Sequence, residues 1–303
     1  PADLPEWRIW LLGIRPRTLP AAVAPVFVGT AGAVGAAGSG AGPGGIIWWR
    51  FAAAMVVALS VQIATNLAND YSDGRRGTDD PGERVGPPRL VGGGLVPAAR
   101  VRSAMLGCFA VTLLAGTPLV LVVDWRLAIV GAAAVAAGWF YTGGPRPYGY
   151  AGFGEVFVFV FFGLVATMGS AYVQTRQLPA ATWLAAVAMG LLATAMLVAN
   201  NLRDIPGDVR AGKRTLAVRL GDAGTRVLYV ALVGASVVSV PGLVALGASP
   251  VVALALVSVV LARRPVIAVL SGARGAALIP VLASTGVVQV VFAAGITVGL
   301  VLP

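Results

Sequence analysis

The sequence predicts an all-α fold, a polytopic membrane protein of about nine transmembrane helices around a central cavity. Three observations predict it. The chain is 58% hydrophobic and only 11% charged, against about 25% charged in a soluble domain. Apolar stretches long enough to cross a bilayer, about 20 residues each, recur along its length. Its 40 glycines and 20 prolines suit helices that approach closely and bend where neighbouring helices satisfy the freed backbone groups.

The spans are expected in the following order. The first, 18–38, follows a segment with charges and two tryptophans that lacks the apolar core and cleavage site of a signal peptide. The second, 46–69, ends on a stretch rich in amides and carboxylates. A long polar segment, roughly 70–100, then leads to the third span, 101–123, and a short fourth, 125–141. The fifth, 153–174, opens at Glu155. The sixth, 180–202, closes on a second amide-and-carboxylate stretch and a second basic loop, roughly 203–225. The seventh, 226–246, a short eighth, 248–262, and the ninth, 278–301, complete the set. These elements read as one domain over 1–303, with pseudo-halves at about 18–141 and 153–262 and an extra last helix.

Positive charge orients the bundle. With the amino terminus on the cytoplasmic side, 19 of the 22 Lys and Arg residues fall on that side. Only Arg50, Arg126 and Arg176 fall opposite, so the bias fixes the inner face. The net charge of +10 would suggest nucleic acid for a soluble protein. Here it is a topology signal, with a share left for an anionic substrate or lipid headgroups, and no nucleic-acid partner is expected. Histidine is absent, which removes imidazole as a base or a metal ligand. The lone Cys108 excludes an intrachain disulfide and reads as a packing residue.

The chemistry lies in the two stretches 66–73 and 200–208. Four of the 12 acidic residues stand there, Asp70, Asp73, Asp204 and Asp208. Carboxylates near lipid cost about 2.5–3.5 kcal/mol each and are seldom found there without a role. Asn66 and Asp70 are four apart, as are Asn200 and Asp204, so each pair shares a helix face. Four carboxylates at one mouth need positive charge, and Mg²⁺ suits oxygen ligands that share substrate phosphates. Arg75, Arg76, Arg84 and Arg89 follow the first stretch; Arg203, Arg210, Lys213 and Arg214 follow the second. Guanidinium forks grip phosphate oxygens in pairs, and Lys213, the only lysine, adds a compact point charge. A lipid diphosphate with a hydrophobic tail is the substrate class this favours.

An allylic tail would ionise to a carbocation, which ring faces attract. Tyr71, Trp139, Phe140, Tyr141, Tyr148 and Tyr150 are candidates to line such a site, although aromatics at membrane ends also form an interfacial belt. Asp79, Asp80 and Glu83 read as solvated loop residues, and Asp124 and Asp222 as structural. Glu155 could bond a substrate or cap a helix. The run 92–94 of three glycines could approach a phosphate or form a flexible turn.

The two stretches resemble the signature motifs of the UbiA superfamily of intramembrane prenyltransferases, and within it the branch that prenylates 1,4-dihydroxy-2-naphthoate. The likeness extends through Arg15–Pro20, Arg84–Arg89, Tyr141–Tyr150 with Glu155, and Asn200–Gly221. In one respect the chain departs, because Gly77 stands where many members carry a third aspartate; the resemblance leaves Asp79 or Asp80 as substitutes for it. The resemblance implies nine helices around a central cavity with cytoplasmic cap loops, in a bacterial plasma membrane. It implies that a polyprenyl diphosphate ionises with Mg²⁺ help and that a ring carbon of dihydroxynaphthoate attacks the cation. Loss of CO₂ and diphosphate would give demethylmenaquinone.

On this reading Asp70, Asp73, Asp204 and Asp208 hold magnesium, with Asn66 and Asn200 assisting, and Asn201 is a further substrate-site amide. Arg89, Arg203 and Lys213 grip the diphosphate. Tyr141, Arg146 and Tyr148 face the acceptor and cation, Arg146 pairing with the acceptor's carboxylate. Another aromatic acceptor such as 4-hydroxybenzoate is the competing enzyme reading, and a cation-coupled transporter is the reading from a different class. Transporter sites usually lie near the midplane, whereas these stretches lie at the inner ends of their spans.

Overall fold

A computed structural model describes residues 4–36, 45–78 and 86–302. Every regular element among them is helical. Seven helices are long and apolar enough to cross a membrane, and a pair, Glu6–Thr18 and Pro20–Gly35, passes the same test together with a bend of 50°. The expected fourth span is a 14-residue apolar helix, Leu127–Phe140, below the length that crosses a bilayer unaided. The nine expected spans therefore correspond to seven spanning helices, one bent helix pair and one short helix among the described residues.

The chain begins with α1 (Glu6–Ile14), a 3₁₀ turn (Pro16–Thr18) and α2 (Pro20–Ala36). It continues through α3 (Trp48–Arg76), α4 (Ala98–Val122) and α5 (Leu127–Phe140). The fifth crossing, Gly154–Thr175, is α6 (Gly154–Val158), a π-helical stretch (Phe159–Val165) and α7 (Ala166–Thr175). Then come α8 (Ala180–Arg210), α9 (Leu216–Ala245), a 3₁₀ segment leading into α10 (Val257–Leu270), and α11 (Leu278–Val301).

Helix α8 is the hub. Two-thirds of its spanning window is buried, and small side chains line it: Ala185, Ala186, Ala188, Ala193, Ala195 and Ala199 are all at most 2% exposed. Without a hydrophobic drive between helices in lipid, such small residues let backbones meet and gain dispersion contacts. Backbones meet closely at Gly163, where an added Cβ would lie 2.3 Å from the Cα of Gly190 on α8. Only glycine fits there. The π-helical stretch around Gly163 has wider i→i+5 turns, which keep Phe157, Phe161 and Val165 in line along the cavity.

Two boundaries differ from expectation, for one reason. Helix α3 runs on to Arg76 and α8 to Arg210, so both acidic stretches are last turns of helices rather than loops. Hydropathy ends a span where polar residues begin, but the backbone keeps its helical bonds until a terminator arrives. In α3 that is Gly77, in the left-handed region at φ 70°. A residue with a Cβ would be strained there, which gives a physical reason for the missing third aspartate. Helix α9 likewise starts earlier than expected, at Leu216, and breaks at Gly221.

Candidate active site

A cavity of about 1250 Å³ opens between the carboxyl ends of α3 and α8 and runs through the bundle to Leu119 and Val120 of α4 and Leu127 of α5. Asp73 comes to its wall from α3, and Asp204 and Asp208 from α8. Helix carboxyl ends already carry the negative pole of the macrodipole. Placing aspartates there concentrates negative potential at the mouth and requires cations.

Lys213 supplies one. Its Nζ lies 3.5 Å from Asp73 Oδ2 and 4.5 Å from the centre of the Tyr150 ring. The Tyr150 hydroxyl donates to Asp73 Oδ1. Burial, and then the charge of Asp73, raises the Tyr150 phenol above its usual range, so it stays protonated and able to donate. Asp208 is within electrostatic reach of Lys213, Asp204 and Asp73, and the Thr215 hydroxyl donates to its Oδ2 at 3.4 Å. Asp204 is held differently. The Arg203 fork donates from Nε to Oδ1 and from Nη2 to Oδ2, both at 2.7 Å, and Nη2 also donates to Asn200 Oδ1 at 2.8 Å. Asn200 Nδ2 donates to Asp204 at 3.3 Å.

The structure brings most of the expected residues to one wall. Asn66, Asp73, Arg89, Tyr141, Tyr148, Asn200, Asn201, Arg203, Asp204, Asp208 and Lys213 all line the cavity. Asp70 does not. It is 1% exposed, and its two oxygens accept the backbone amides of Leu90 and Val91 at 2.9 and 2.8 Å. The carboxylate is thus committed to fastening the segment after α3 onto that helix. Hydrogen bonds to a charged group contribute about 1.5–3 kcal/mol each, which identifies a loop anchor. Arg146 is exposed and stands outside the cavity wall, so it is not placed to meet an acceptor inside. Arg203 spends its fork on Asp204 and Asn200 rather than presenting it to a ligand.

The remaining expectations divide. Tyr71 and Trp139 pack on each other at 6.5 Å in the core beneath the loop, and Phe140 is exposed. None of the three lines the cavity, whereas Tyr150 does. Glu155 is buried and accepts from Asn201 Nδ2 at 2.9 Å, which ties α6 to α8. Gly92–Gly94 form a turn, closed by the amides of Gly93 and Gly94 on Arg89 and Val91, and lie away from the cavity. Asp79, Asp80, Glu83 and Arg84 lie outside the described residues.

Sequence reasoning missed Asn69, which lines the cavity and accepts from the Thr142 hydroxyl at 2.8 Å. The signal was present: Asn69 precedes Asp73 by four residues, as Asn200 precedes Asp204. That spacing also fits Asn66 and Asp70, one turn earlier, but only the later pair has both members on the cavity wall. Arg15, Arg17 and Gln62 also line it.

The donor set fits a hard cation. Among the described residues no group of three His, Cys, Asp or Glu side chains closes on a single point. Magnesium does not need one, since it keeps waters and takes one or two carboxylates plus substrate phosphates. Asp73, Asp204 and Asp208, with the amide oxygens of Asn69 and Asn200, offer oxygen alone. Deeper in, Tyr141 and Tyr148 meet edge to face at 5.5 Å, and Tyr148 stacks on Phe157 at 3.9 Å. Burial holds both phenols above their usual range, so these rings stay neutral.

Comparison with known proteins agrees with this geometry. The chain is 49% identical over 284 residues to the 1,4-dihydroxy-2-naphthoate octaprenyltransferase of Mycobacterium tuberculosis, covering 94% of each chain. It is 40% identical over 242 residues to the enzyme of that name from Escherichia coli, covering 76% of this chain and 74% of the other. A UbiA homolog from Aeropyrum pernix K1 has the same fold at 15% identity, with a TM-score of 0.70 over 92% of this chain and 97% of that one. A UbiA homolog from Archaeoglobus fulgidus bound to DMAPP and Mg²⁺ matches at 14% identity with a TM-score of 0.63, over 96% and 98% of the two chains. The family model for UbiA prenyltransferases matches residues 22–271. With its crossings, its cavity and its paired acidic helix ends, this multi-pass membrane protein belongs to the UbiA prenyltransferase family.

Proposed function

We propose that this protein transfers a polyprenyl chain from a polyprenyl diphosphate to 1,4-dihydroxy-2-naphthoate, releasing diphosphate and CO₂. The observation that carries the reading is one cavity with acidic and basic residues at its mouth, aromatic rings behind them and an apolar path beyond. The identity to curated dihydroxynaphthoate octaprenyltransferases supports the choice of acceptor.

Asp73, Asp204 and Asp208 would hold Mg²⁺, with Asn69 and Asn200 beside them. Bound magnesium supplies Lewis-acid stabilisation of the charge that grows on the leaving diphosphate. Lys213 stabilises the same charge from the protein side, with Arg89 and Arg210 on the same wall. The faces of Tyr141, Tyr148, Phe157 and Phe161 shelter the allylic cation from water. The ring carbon bearing the carboxylate then forms the new bond to the terminal prenyl carbon. The carbon–carboxylate bond breaks, and its electron pair restores the aromatic ring as CO₂ leaves. No proton is removed from that carbon, so a site without histidine is adequate. The step contains no oxidant, and the product leaves at the hydroquinone level.

The distribution of 19 cations against three supports a mouth facing the cytoplasm of a bacterial cell. The test is turnover by the purified chain in lipid nanodiscs with Mg²⁺, octaprenyl diphosphate and carboxyl-labelled dihydroxynaphthoate. Labelled CO₂ and diphosphate should appear together, one for one. Prenylation of 4-hydroxybenzoate in place of the naphthoate would overturn the acceptor assignment.

A further inference from the structure

Most cations on the cavity wall have partners in the protein. Arg203 grips Asp204 and Asn200, Lys213 meets Asp73 and Tyr150, and Arg76 donates to the carbonyls of Thr142 and Gly144. Arg17 differs. It lines the cavity from the 3₁₀ turn Pro16–Thr18, and among the described residues its guanidinium makes no hydrogen bond or ion pair.

Its surroundings are specific. The Thr18 hydroxyl donates to Arg15 O at 2.9 Å, so its lone pairs accept from Gln62 Nε2 at 2.9 Å and Asn66 Nδ2 at 3.1 Å. That network fixes both amides and leaves Gln62 Oε1 and Asn66 Oδ1 as acceptors without a donor among the described residues. Gln62 and Asn66 precede Asp73 on α3 by 11 and 7 residues. At about 1.5 Å per residue they stand about 16 and about 10 Å deeper than the carboxylate. On the next turn, Ala21 packs with Met196 and Leu282 and against Val158 and Phe162, which places the Arg17 turn beside the aromatic strip of α6 and the π-helical stretch.

We infer that Arg17, with the amide oxygens of Gln62 and Asn66, forms the subsite that receives the acceptor, the guanidinium taking its carboxylate and the amides its phenolic hydroxyls. The inference rests on the function proposed above. A guanidinium fork matches a carboxylate in two parallel hydrogen bonds, and amide oxygens match hydroxyl donors. Arg17 is exposed but, unlike Arg146, on the cavity wall, and its turn is held at the level of Gln62 and Asn66 through Thr18, apart from the carboxylate and lysine cluster at the mouth, where a diphosphate belongs. This placement leaves the ring between the aromatic strip and the site of ionisation. Arg17 assumes the role the sequence had given to Arg146. It positions the ring and takes no part in bond breaking, since an ion pair on the carboxylate does not help CO₂ to leave.

The test compares two rings in the intact protein, 1,4-dihydroxy-2-naphthoate and 1,4-dihydroxynaphthalene, which lacks the carboxylate. Binding of each is measured directly, by competition, alongside turnover with octaprenyl diphosphate and Mg²⁺. Arg17→Gln should weaken binding and raise KM for the naphthoate about 10- to 100-fold. It should leave the affinity of the des-carboxy ring and the KM of the diphosphate within about twofold, and Arg17→Lys should recover part of the loss. An equal loss for both rings, a raised KM for the diphosphate, or no change would each overturn the subsite. Wild-type turnover of naphthoate without dependence on Arg17 removes the subsite and leaves the proposed function. Arg17-dependent binding without any turnover does the reverse.

Discussion

Lys213 and Asp73 are 140 residues apart in the chain, yet the lysine Nζ lies 3.5 Å from the carboxylate Oδ2, with side chains only 10% and 5% exposed. This contact joins the loop after α8 to the last turn of α3, so the two acidic helix ends become one site. The Lys213 amide donates to Asp208 O at 2.8 Å, and the Arg214 amide to Tyr150 O at 2.8 Å. The backbone therefore fixes where the ammonium stands.

Removing that charge should impair the departure of diphosphate more than the binding of the acceptor. Lys213→Ala is expected to lower kcat about 100-fold, the scale of losing one preorganised donor at a developing anion. The KM for the aromatic acceptor should stay close to wild type. Diphosphate release at saturating substrates measures it, and an unchanged kcat would remove Lys213 from the mechanism.

Asp70 and Asp73 lie three residues apart but have separate duties, and their variants should separate cleanly. Asp73→Asn should abolish magnesium-dependent turnover while leaving the thermal midpoint near wild type. Asp70→Ala strands two buried amides, at about 1–3 kcal/mol each. It should lower the thermal midpoint and loosen the segment after residue 86, which hydrogen exchange at Leu90 and Val91 would report. Loss of magnesium dependence in a stably folded Asp70→Asn variant would show that Asp70, too, serves the metal.

How much of this was legible in the sequence depends on the kind of signal. The apolar runs and the asymmetry of positive charge are summed over many residues, so crossings and their order were readable. The acidic stretches were readable as a pair because carboxylates are scarce in such a chain. Which face of α3 meets the cavity was not. Asn66 with Asp70 and Asn69 with Asp73 carry the same spacing, and only the packing of α1 and the segment around Leu90 against α3 selects between them. Arg146 misled for a related reason, since its motif is near the mouth but its side chain turns to solvent. Arg17 stands in the segment Arg15–Pro20 that carries the family likeness, but its role depends on the bend between α1 and α2, which that likeness does not show.

Asn69 should matter to metal affinity more than Asn66 does. Removing a neighbour that orients a metal ligand typically costs about 10- to 100-fold in affinity. Asn69→Ala should raise the Mg²⁺ concentration for half-maximal activity by that factor. Asn66→Ala should leave it in place, because the Asn66 amide donates to Ile14 O and Thr18 Oγ1. A magnesium titration of both variants decides the matter, and the opposite ranking would return the metal site to the earlier turn of α3.

The crossing of the π-helical stretch over α8 should tolerate no added side chain. A Cβ on Gly163 would stand 2.3 Å from Gly190 Cα and 2.7 Å from its N, backbone atoms that cannot rotate aside. Gly163→Ala is expected to destabilise by about 1–3 kcal/mol, the usual range for overpacking, and to displace the aromatic strip. A thermal midpoint equal to wild type would mean the two helices can separate without loss.

The far end of the cavity sets how much tail fits. Gly116 on α4 lines it, and a Cβ there would meet only Val57 Cγ2, at 3.8 Å. Val57 precedes Asp73 by 16 residues on α3, so Gly116 lies about 24 Å from the carboxylate along the helix, at about 1.5 Å per residue. A large side chain could be accommodated at Gly116 without a backbone clash, and it would block the path at that depth. Gly116→Phe is therefore expected to retain turnover with geranyl diphosphate, whose tail ends short of the block. With octaprenyl diphosphate it should lose about 10-fold or more in kcat/KM, about 1.4 kcal/mol or more of transition-state binding. Equal losses with both donors would mean that long tails leave the cavity by another route before reaching α4.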